Sequence, residues 1–243
     1  MTGREQIDTP QIEDLEEKII LGMFDRGLLG FPEGGIILKS GRNSPYYYND
    51  RINLSFDREL AAEGRMSIAQ QREFRQALAQ GMGQKFLELE VDIDHVFGKA
   101  QAATAPAALG AYEAGLSYLW ERVDEPNKIY GAHKKIEGSY HEGEKVGLGD
   151  DVVTDGKSKI EGASVLEEVG LIPVSVTIKF DREEGGMQVL EAHQFEVNAV
   201  TTLSRAIPVL RENDRISDQQ VESIVAYHQQ LREEGLTSTF TIT

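Results

Sequence analysis

The stretch Lys145–Ser158, KVGLGDDVVTDGKS, decides how this chain is read. Val146 and Leu148 open a short apolar run that ends in two adjacent acids, Asp150 and Asp151. Val152 and Val153 follow, then a polar turn with one glycine, Thr154-Asp155-Gly156-Lys157-Ser158. Beyond it Ile160, Ala163, Val165, Leu166 and Val169 recur at helical spacing up to Gly170. The pattern predicts strand, loop, helix. A loop at the start of a helix presents backbone N–H groups and the positive end of the helix dipole, so it favours an anion, most naturally a phosphate. Gly156 lets the backbone come close, Thr154 and Ser158 add hydroxyls, and Lys157 adds charge. Two carboxylates just before such a cradle can accept hydrogen bonds from sugar hydroxyls, which suits a ribose 5-phosphate. The plainer alternative is an ordinary strand-to-helix turn with a capped helix.

The stretch resembles the phosphoribosyl diphosphate (PRPP) motif of type I phosphoribosyltransferases: apolar strand, two acids, two apolar residues, Thr, a variable residue, Gly, and a Ser or Thr two places on. The resemblance implies that Asp150, Asp151, Val152, Val153, Thr154, Asp155, Gly156, Lys157 and Ser158 bind PRPP. Asp155 stands where that family usually carries a small or hydroxyl residue, so its carboxylate must point outward or pair with Lys157.

Composition sets the outer bounds. The 243 residues suffice for one sizeable α/β unit with an appendage. No apolar run approaches the roughly 20 residues of a membrane span. The N-terminal MTGREQIDTPQIEDLEEK is polar and acidic, unlike a signal or transit peptide. With no cysteine there is no disulfide or thiolate metal site, and a cytoplasmic location is expected. The net charge of −16 argues against nucleic acid or an anionic membrane as partner. It also means that a polyanionic substrate needs cations gathered locally, Mg2+ among them.

Towards the N-terminus, Thr9-Pro10 opens a helix with Ile12, Leu15, Ile19, Ile20 and Met23 as its stripe. Ile36–Leu38, a turn with Arg42, and Tyr46–Tyr48 then read as a hairpin. Leu38–Asn49, LKSGRNSPYYYN, resembles the N-terminal hairpin of orotate phosphoribosyltransferases. That resemblance implies that Lys39 lies at the active site and that Tyr47 and Tyr48 line the orotate pocket. On its own, a run of tyrosines in a strand would read as packing. Residues 57–90 read as helical, with Glu63–Glu73 a surface insertion.

Val91–Gly98 reads as the first core strand, and the loop after it, with Gly98 and Lys99, matches the family's pyrophosphate loop loosely. Leu116–Arg122 is a further strand. The polar stretch after it carries Lys128, Lys134 and Lys135, in KIYG and KKIEG. The family's catalytic lid occupies this place. The resemblance puts Lys128 at the catalytic lysine and Tyr130 at an aromatic PRPP contact, while Asp124 and Glu125 replace an expected Arg-Lys pair. Ile172–Phe180 is a strand ending in DREEGG, Asp181–Gly186, whose family counterpart reads orotate through its arginine, here Arg182, alongside Thr154. Leu190–Val200 reads as a short strand, and helices follow at about 203–212 and 218–234.

Strands alternating with helices imply a parallel, twisted sheet covered on both faces, with ligands at the carboxyl ends of its strands. The α/β core is expected over residues 91–243, and residues 1–90 are expected to form a helix and hairpin hood packed on it as one structural unit. The resemblance spans about residues 12–230 and implies orotate plus PRPP giving orotidine 5′-monophosphate and pyrophosphate. It assigns catalysis to Lys128, Asp150 and Asp151, PRPP binding also to Lys39, Lys99 and Tyr130, and Mg2+ to PRPP together with Asp150 or Asp151. A homodimer is implied as well. Two other readings stay open: transfer to a different base, or a non-catalytic relative that binds PRPP or a nucleotide.

Overall fold

The computed structural model describes residues 12–38, 41–50, 55–99, 102–122 and 135–242. The first element is helix α1 (Ile12–Asp25). It is followed by four two-residue strands, β1 (Leu29–Gly30), β2 (Ile36–Ile37), β3 (Asn43–Ser44) and β4 (Tyr47–Tyr48). Helices α2 (Arg58–Ala62) and α3 (Ile68–Leu87) lead into strand β5 (His95–Gly98) and helix α4 (Thr104–Ala114). Strands β6 (Ser117–Glu121), β7 (Ile136–Glu137) and β8 (Lys145–Val153) precede helix α5 (Lys157–Glu167). The chain continues through β9 (Ile172–Asp181), α6 (Gly186–Ala192), β10 (Glu196–Thr202), α7 (Leu203–Glu212) and α8 (Asp218–Glu233).

One six-stranded sheet has the order β10-β9-β8-β5-β6-β7, parallel throughout except for β7, which runs antiparallel to β6. From β5 the chain steps outward to β6, while β8 lies on the other side of β5. The strand order therefore reverses between β5 and β8, where open α/β sheets bind ligands beyond their carboxyl ends. Ser175–Asp181 is buried without interruption, as expected of a central parallel strand covered on both faces. On one face Val96, Phe180 and Val200 share a core with α1, α3, α4, α7 and α8. On the other Phe97, Leu148 and Ile178 pack against α5 and α6. Leu15, Ile19, Ile20 and Met23 of the predicted stripe are all buried there, so the N-terminal helix is part of the main core. Among the described residues no helix is long and apolar enough to cross a membrane.

Several boundaries differ from the sequence reading. The first core strand begins at His95, because Val91 turns away to donate its N–H to Glu196. Leu190 belongs to α6 and the strand starts at Glu196, since Gly185-Gly186 opens a helical turn directly after β9. The stretch Glu63–Glu73 is mostly exposed, as the surface reading expects, but it is tied to the core at Met66 and Gln71. Ser67 and Gln70 form a capping box that starts α3, and Gln71 is fully buried, binding Arg26 and the backbone at Asp57 and Met66. The hairpin also pairs differently. Ile36–Ile37 pairs with Asn43–Ser44, whereas Tyr47–Tyr48 pairs with Leu29–Gly30. Thr9-Pro10 lies outside the described residues.

Candidate active site

The two acids lie near the carboxyl end of β8, just before Val152 and Val153. Asp150 is 9% exposed and its Oδ2 lies 2.7 Å from the ammonium of Lys159, on the first turns of α5. That ammonium also donates to the carbonyl of Val152 and to Ser158 Oγ. Asp150 Oδ1 accepts the N–H of Asp151 at 2.8 Å, and Asp151 Oδ1 accepts the N–H of Val152 at 2.8 Å. Each carboxylate thus accepts the backbone N–H of the residue that follows it. Burial, then the neighbouring Asp150 charge, pushes the Asp151 carboxyl up to about 7, with Lys159 acting in the opposite sense.

The turn after the acids has the predicted form. Gly156 sits at φ +75° and begins α5 with no side chain capping it. A non-glycine residue is disfavoured at that angle. Thr154, Asp155, Lys157 and Ser158 are exposed. Asp155 both points outward and pairs with Lys157: its Oδ1 accepts the Lys157 N–H at 3.2 Å, and its Oδ2 lies 3.4 Å from Nζ. Lys99, at the end of β5, reaches across the reversal point to the carbonyl of Ser158 and to Glu161, each at 3.1 Å. The two loops predicted to hold diphosphate and 5-phosphate therefore stand next to each other. The DREEGG turn closes in on the same place. A Cβ at Gly186 would meet Val153 at 2.4 Å and the Thr154 carbonyl at 2.6 Å, so only glycine allows that approach.

The tyrosine segment splits by face, as alternating strand residues must. Tyr47 lies on Gly30, where a Cβ would stand 2.4 Å from its ring, and its hydroxyl donates to the Gly27 carbonyl. Tyr48 stacks on Phe180 at 4.9 Å between ring centroids. Tyr46 is fully buried, with its ring 4.6 Å from the Arg182 guanidinium and its hydroxyl bonded to Glu184 at 2.7 Å. Arg182 is 4% exposed and donates from Nε and Nη2 to Glu184. The guanidinium is thus held inside by a carboxylate two residues away.

The Tyr46 hydroxyl also contacts His228 Nε2 at 3.2 Å, and His228 Nδ1 contacts Ser238. Burial first, then the Arg232 and Arg182 charges, lowers the His228 pKa from 6.5 to about 3. Below pH 6.5 the unfolded chain takes a proton at this residue that the folded chain refuses. The stabilising contribution is thus present above 6.5 and lost as the pH falls toward 3. His228→Gln is expected to flatten the acid loss of stability over that window by up to about 1.4 kcal/mol per pH unit. Urea unfolding of both proteins at several pH values measures this, and parallel curves would contradict it.

Lys39, Lys128 and Tyr130 lie outside the described residues. The segment that carries Lys128 leaves from a fixed base: β6 and β7 form a short antiparallel ribbon, the Arg122 N–H donates to the Lys135 carbonyl, and Arg122 pairs with Glu137. Two lysines were missed. Lys159 lies two residues beyond the exposed Lys157, but its place three residues after Gly156 sets it on the inner side of the first helical turn. Lys179 interrupts the apolar run IPVSVTIKF of a central strand, where a lysine needs a buried partner. That irregularity was the available signal.

No family model matches the chain. Solved structures do match its fold. The UMP synthase of Leishmania donovani aligns over 88% of this chain and 42% of its own, with a TM-score of 0.71 and 23% identity. The orotate phosphoribosyltransferase of Francisella tularensis aligns over 87% of this chain and 97% of its own, with a TM-score of 0.64 and 22% identity. The fold is thus that of the type I phosphoribosyltransferases. Among curated proteins, bovine uridine 5′-monophosphate synthase is 29% identical over 212 residues, 87% of this chain, and the chain spans 40% of that protein's length. The orotate phosphoribosyltransferase of Cronobacter sakazakii is 30% identical over 210 residues, covering 81% of this chain and 89% of its own. The chain belongs to the orotate phosphoribosyltransferase family.

Proposed function

We propose that the protein transfers the 5-phosphoribosyl group from PRPP to orotate, giving orotidine 5′-monophosphate and pyrophosphate. The observation that carries the reading is the meeting, at the reversal point of the sheet, of Asp150, Asp151, the Thr154–Ser158 turn and Lys99, with the tyrosine segment and Arg182 packed at the end of β9. The turn's N–H groups and hydroxyls hold the 5-phosphate, and the two carboxylates accept hydrogen bonds from the ribose hydroxyls. The bond from the anomeric carbon to the diphosphate oxygen breaks, with its electron pair leaving on pyrophosphate. The new bond forms to a ring nitrogen of orotate, whose N–H bond breaks as its proton passes to the departing pyrophosphate or to water, so no strong protein base is needed. Lys128 and Lys99 meet the charge that develops on the leaving group, and the lid bearing Lys128 and Tyr130 keeps water out. Lys39, Thr154, Arg182 and Tyr48 receive orotate, while Tyr47, packed on Gly30 on the opposite face, holds the segment in place.

The donors available suit a metal that comes with the substrate. Among the described residues no cluster of three or more acidic or histidine side chains could hold an ion, and one oxygen of Asp150 already pairs with Lys159. One or two carboxylates plus substrate oxygens is the usual setting for Mg2+. Bound there with PRPP, Mg2+ would neutralise charge on the diphosphate. The reading includes a cytoplasmic homodimer in which residues 1–90 and 91–243 act as one structural unit.

Gly156→Val tests the cradle. A β-branched side chain at φ +75° is strained and stands 3.3 Å from the Gly186 carbonyl, so the turn must rearrange. PRPP affinity by calorimetry is expected to fall below detection while the far-ultraviolet circular dichroism stays native. Unchanged PRPP affinity would remove the phosphate assignment.

A further inference from the structure

Lys179 has no exposed surface, and its ammonium pairs with the equally buried carboxylate of Asp50. A lysine inside a central strand is tolerated when it is paired in this way, and the pair joins two distant parts of the chain. Asp50 lies two residues beyond β4, in the tyrosine segment. The Tyr48 hydroxyl donates to Asp50 Oδ1 at 3.0 Å, and the Lys179 ammonium sits 5.2 Å from the centroid of the Tyr48 ring. The adjoining residue of β9, Phe180, stacks on that ring with 17° between planes. Strand β4 is two residues long and pairs with a two-residue strand, too little to fix a side-chain direction unaided. Meanwhile β8 and β9 pair Asp150 with Ile178 and Val152 with Phe180, which sets Lys179 beside Asp151.

We propose that Lys179 is a positioning residue for the base pocket: paired with Asp50, it fixes the Tyr48 ring at the end of β9 beside the two acids, and so sets the wall against which a planar pyrimidine lies. This rests on the orotate reading given above. Lys179 touches no reacting atom. Its part is to convert a weakly paired strand into a rigid surface, and the Tyr48 hydroxyl is the link through which it acts. Burial lowers the Lys179 pKa, while Asp50 and then Asp151 work to keep it charged, so the ammonium answers to both partners.

A structural role alone would also make single substitutions damaging, so the decisive variant removes both charges together. Asp50→Leu/Lys179→Leu replaces the pair with apolar side chains, a change that often leaves stability intact. Its unfolding midpoint is expected to stay close to that of the wild type, with the KM for orotate raised about 5-fold or more and that for PRPP within about 2-fold. Tyr48→Phe keeps the ring and removes only the link to Asp50, and should raise the orotate KM about 3-fold. Steady-state kinetics with each substrate varied in turn measures both. A stable double variant with the wild-type orotate KM would overturn the proposal. Should the double variant not fold, an unchanged orotate KM in Tyr48→Phe would overturn it instead. Wild-type protein with no orotate turnover in the same assay would reject the functional reading, an outcome distinct from active wild type with unaffected variants.

Discussion

Lys128→Ala is expected to lower turnover about 100-fold or more while changing the affinity of the open protein for PRPP little. The difference between the two effects follows from where the charge acts. A lysine that meets the diphosphate only as the lid closes is used against charge that appears in the transition state, and it adds little to the ground-state complex. On either side of the residues that carry it, the Arg122 N–H donates to the Lys135 carbonyl, and β6 pairs with β7. Upstream of Lys128 the sequence is short of cations: Asp124 and Glu125 stand where the resemblance leads one to expect a basic pair, and Arg122 is held by Glu137. Dependence on Mg2+ should accordingly be steep. Turnover of the wild type and of Lys128→Ala across a Mg2+ titration, with PRPP binding measured separately, checks both statements. A variant at the wild-type rate would move the role to Lys134 or Lys135.

Arg182→Ala should raise the KM for orotate far more than that for PRPP, and it should also weaken the fold by about 3–5 kcal/mol. The second effect arises because Arg182 is buried under the Tyr46 ring and bonded to Glu184, whose buried carboxylate keeps the Tyr46 hydroxyl but loses its counter-charge. The two effects separate in a double variant. Arg182→Ala/Glu184→Gln removes the stranded charge, so the unfolding midpoint should recover in large part while the orotate KM stays high. Recovery of both together would mean that Arg182 serves the fold and not the base. The existing pair also bears on selectivity. Glu184 already supplies Arg182 with a carboxylate, so an incoming base must bring one of its own to compete. Uracil and hypoxanthine, which have none, should be poor substrates.

The elements that could be read from the sequence are those whose pattern is local. The run of Val146 and Leu148 into two acids, the glycine at φ +75°, and the amphipathic stripe of α1 each follow from spacing that a neighbouring segment cannot alter. The helices read at about 203–212 and 218–234 were also local in their pattern, and the structure caps them at Thr202 and Ser217. What escaped depends on distant partners. Tyr47–Tyr48 pairs with Leu29–Gly30 because Gly30 leaves room for the Tyr47 ring, a fact of tertiary packing that no turn signal reveals. Gln71 looked like part of a polar surface stretch, yet it is buried because Arg26 and the Asp57 backbone meet it there. The pairing of Lys159 with Asp150 and of Lys179 with Asp50 needed the sheet order before either lysine could be separated from the exposed ones around it.

The central claim is that this site joins orotate to the ribose of PRPP. The most direct measurement follows the loss of orotate absorbance when the purified protein is mixed with PRPP and Mg2+, with pyrophosphate release recorded alongside. The account predicts equimolar orotate loss and pyrophosphate release, dependent on both substrates and abolished in Gly156→Val. Pyrophosphate release with uracil or hypoxanthine but not with orotate, or PRPP binding with no turnover of any base, would contradict it.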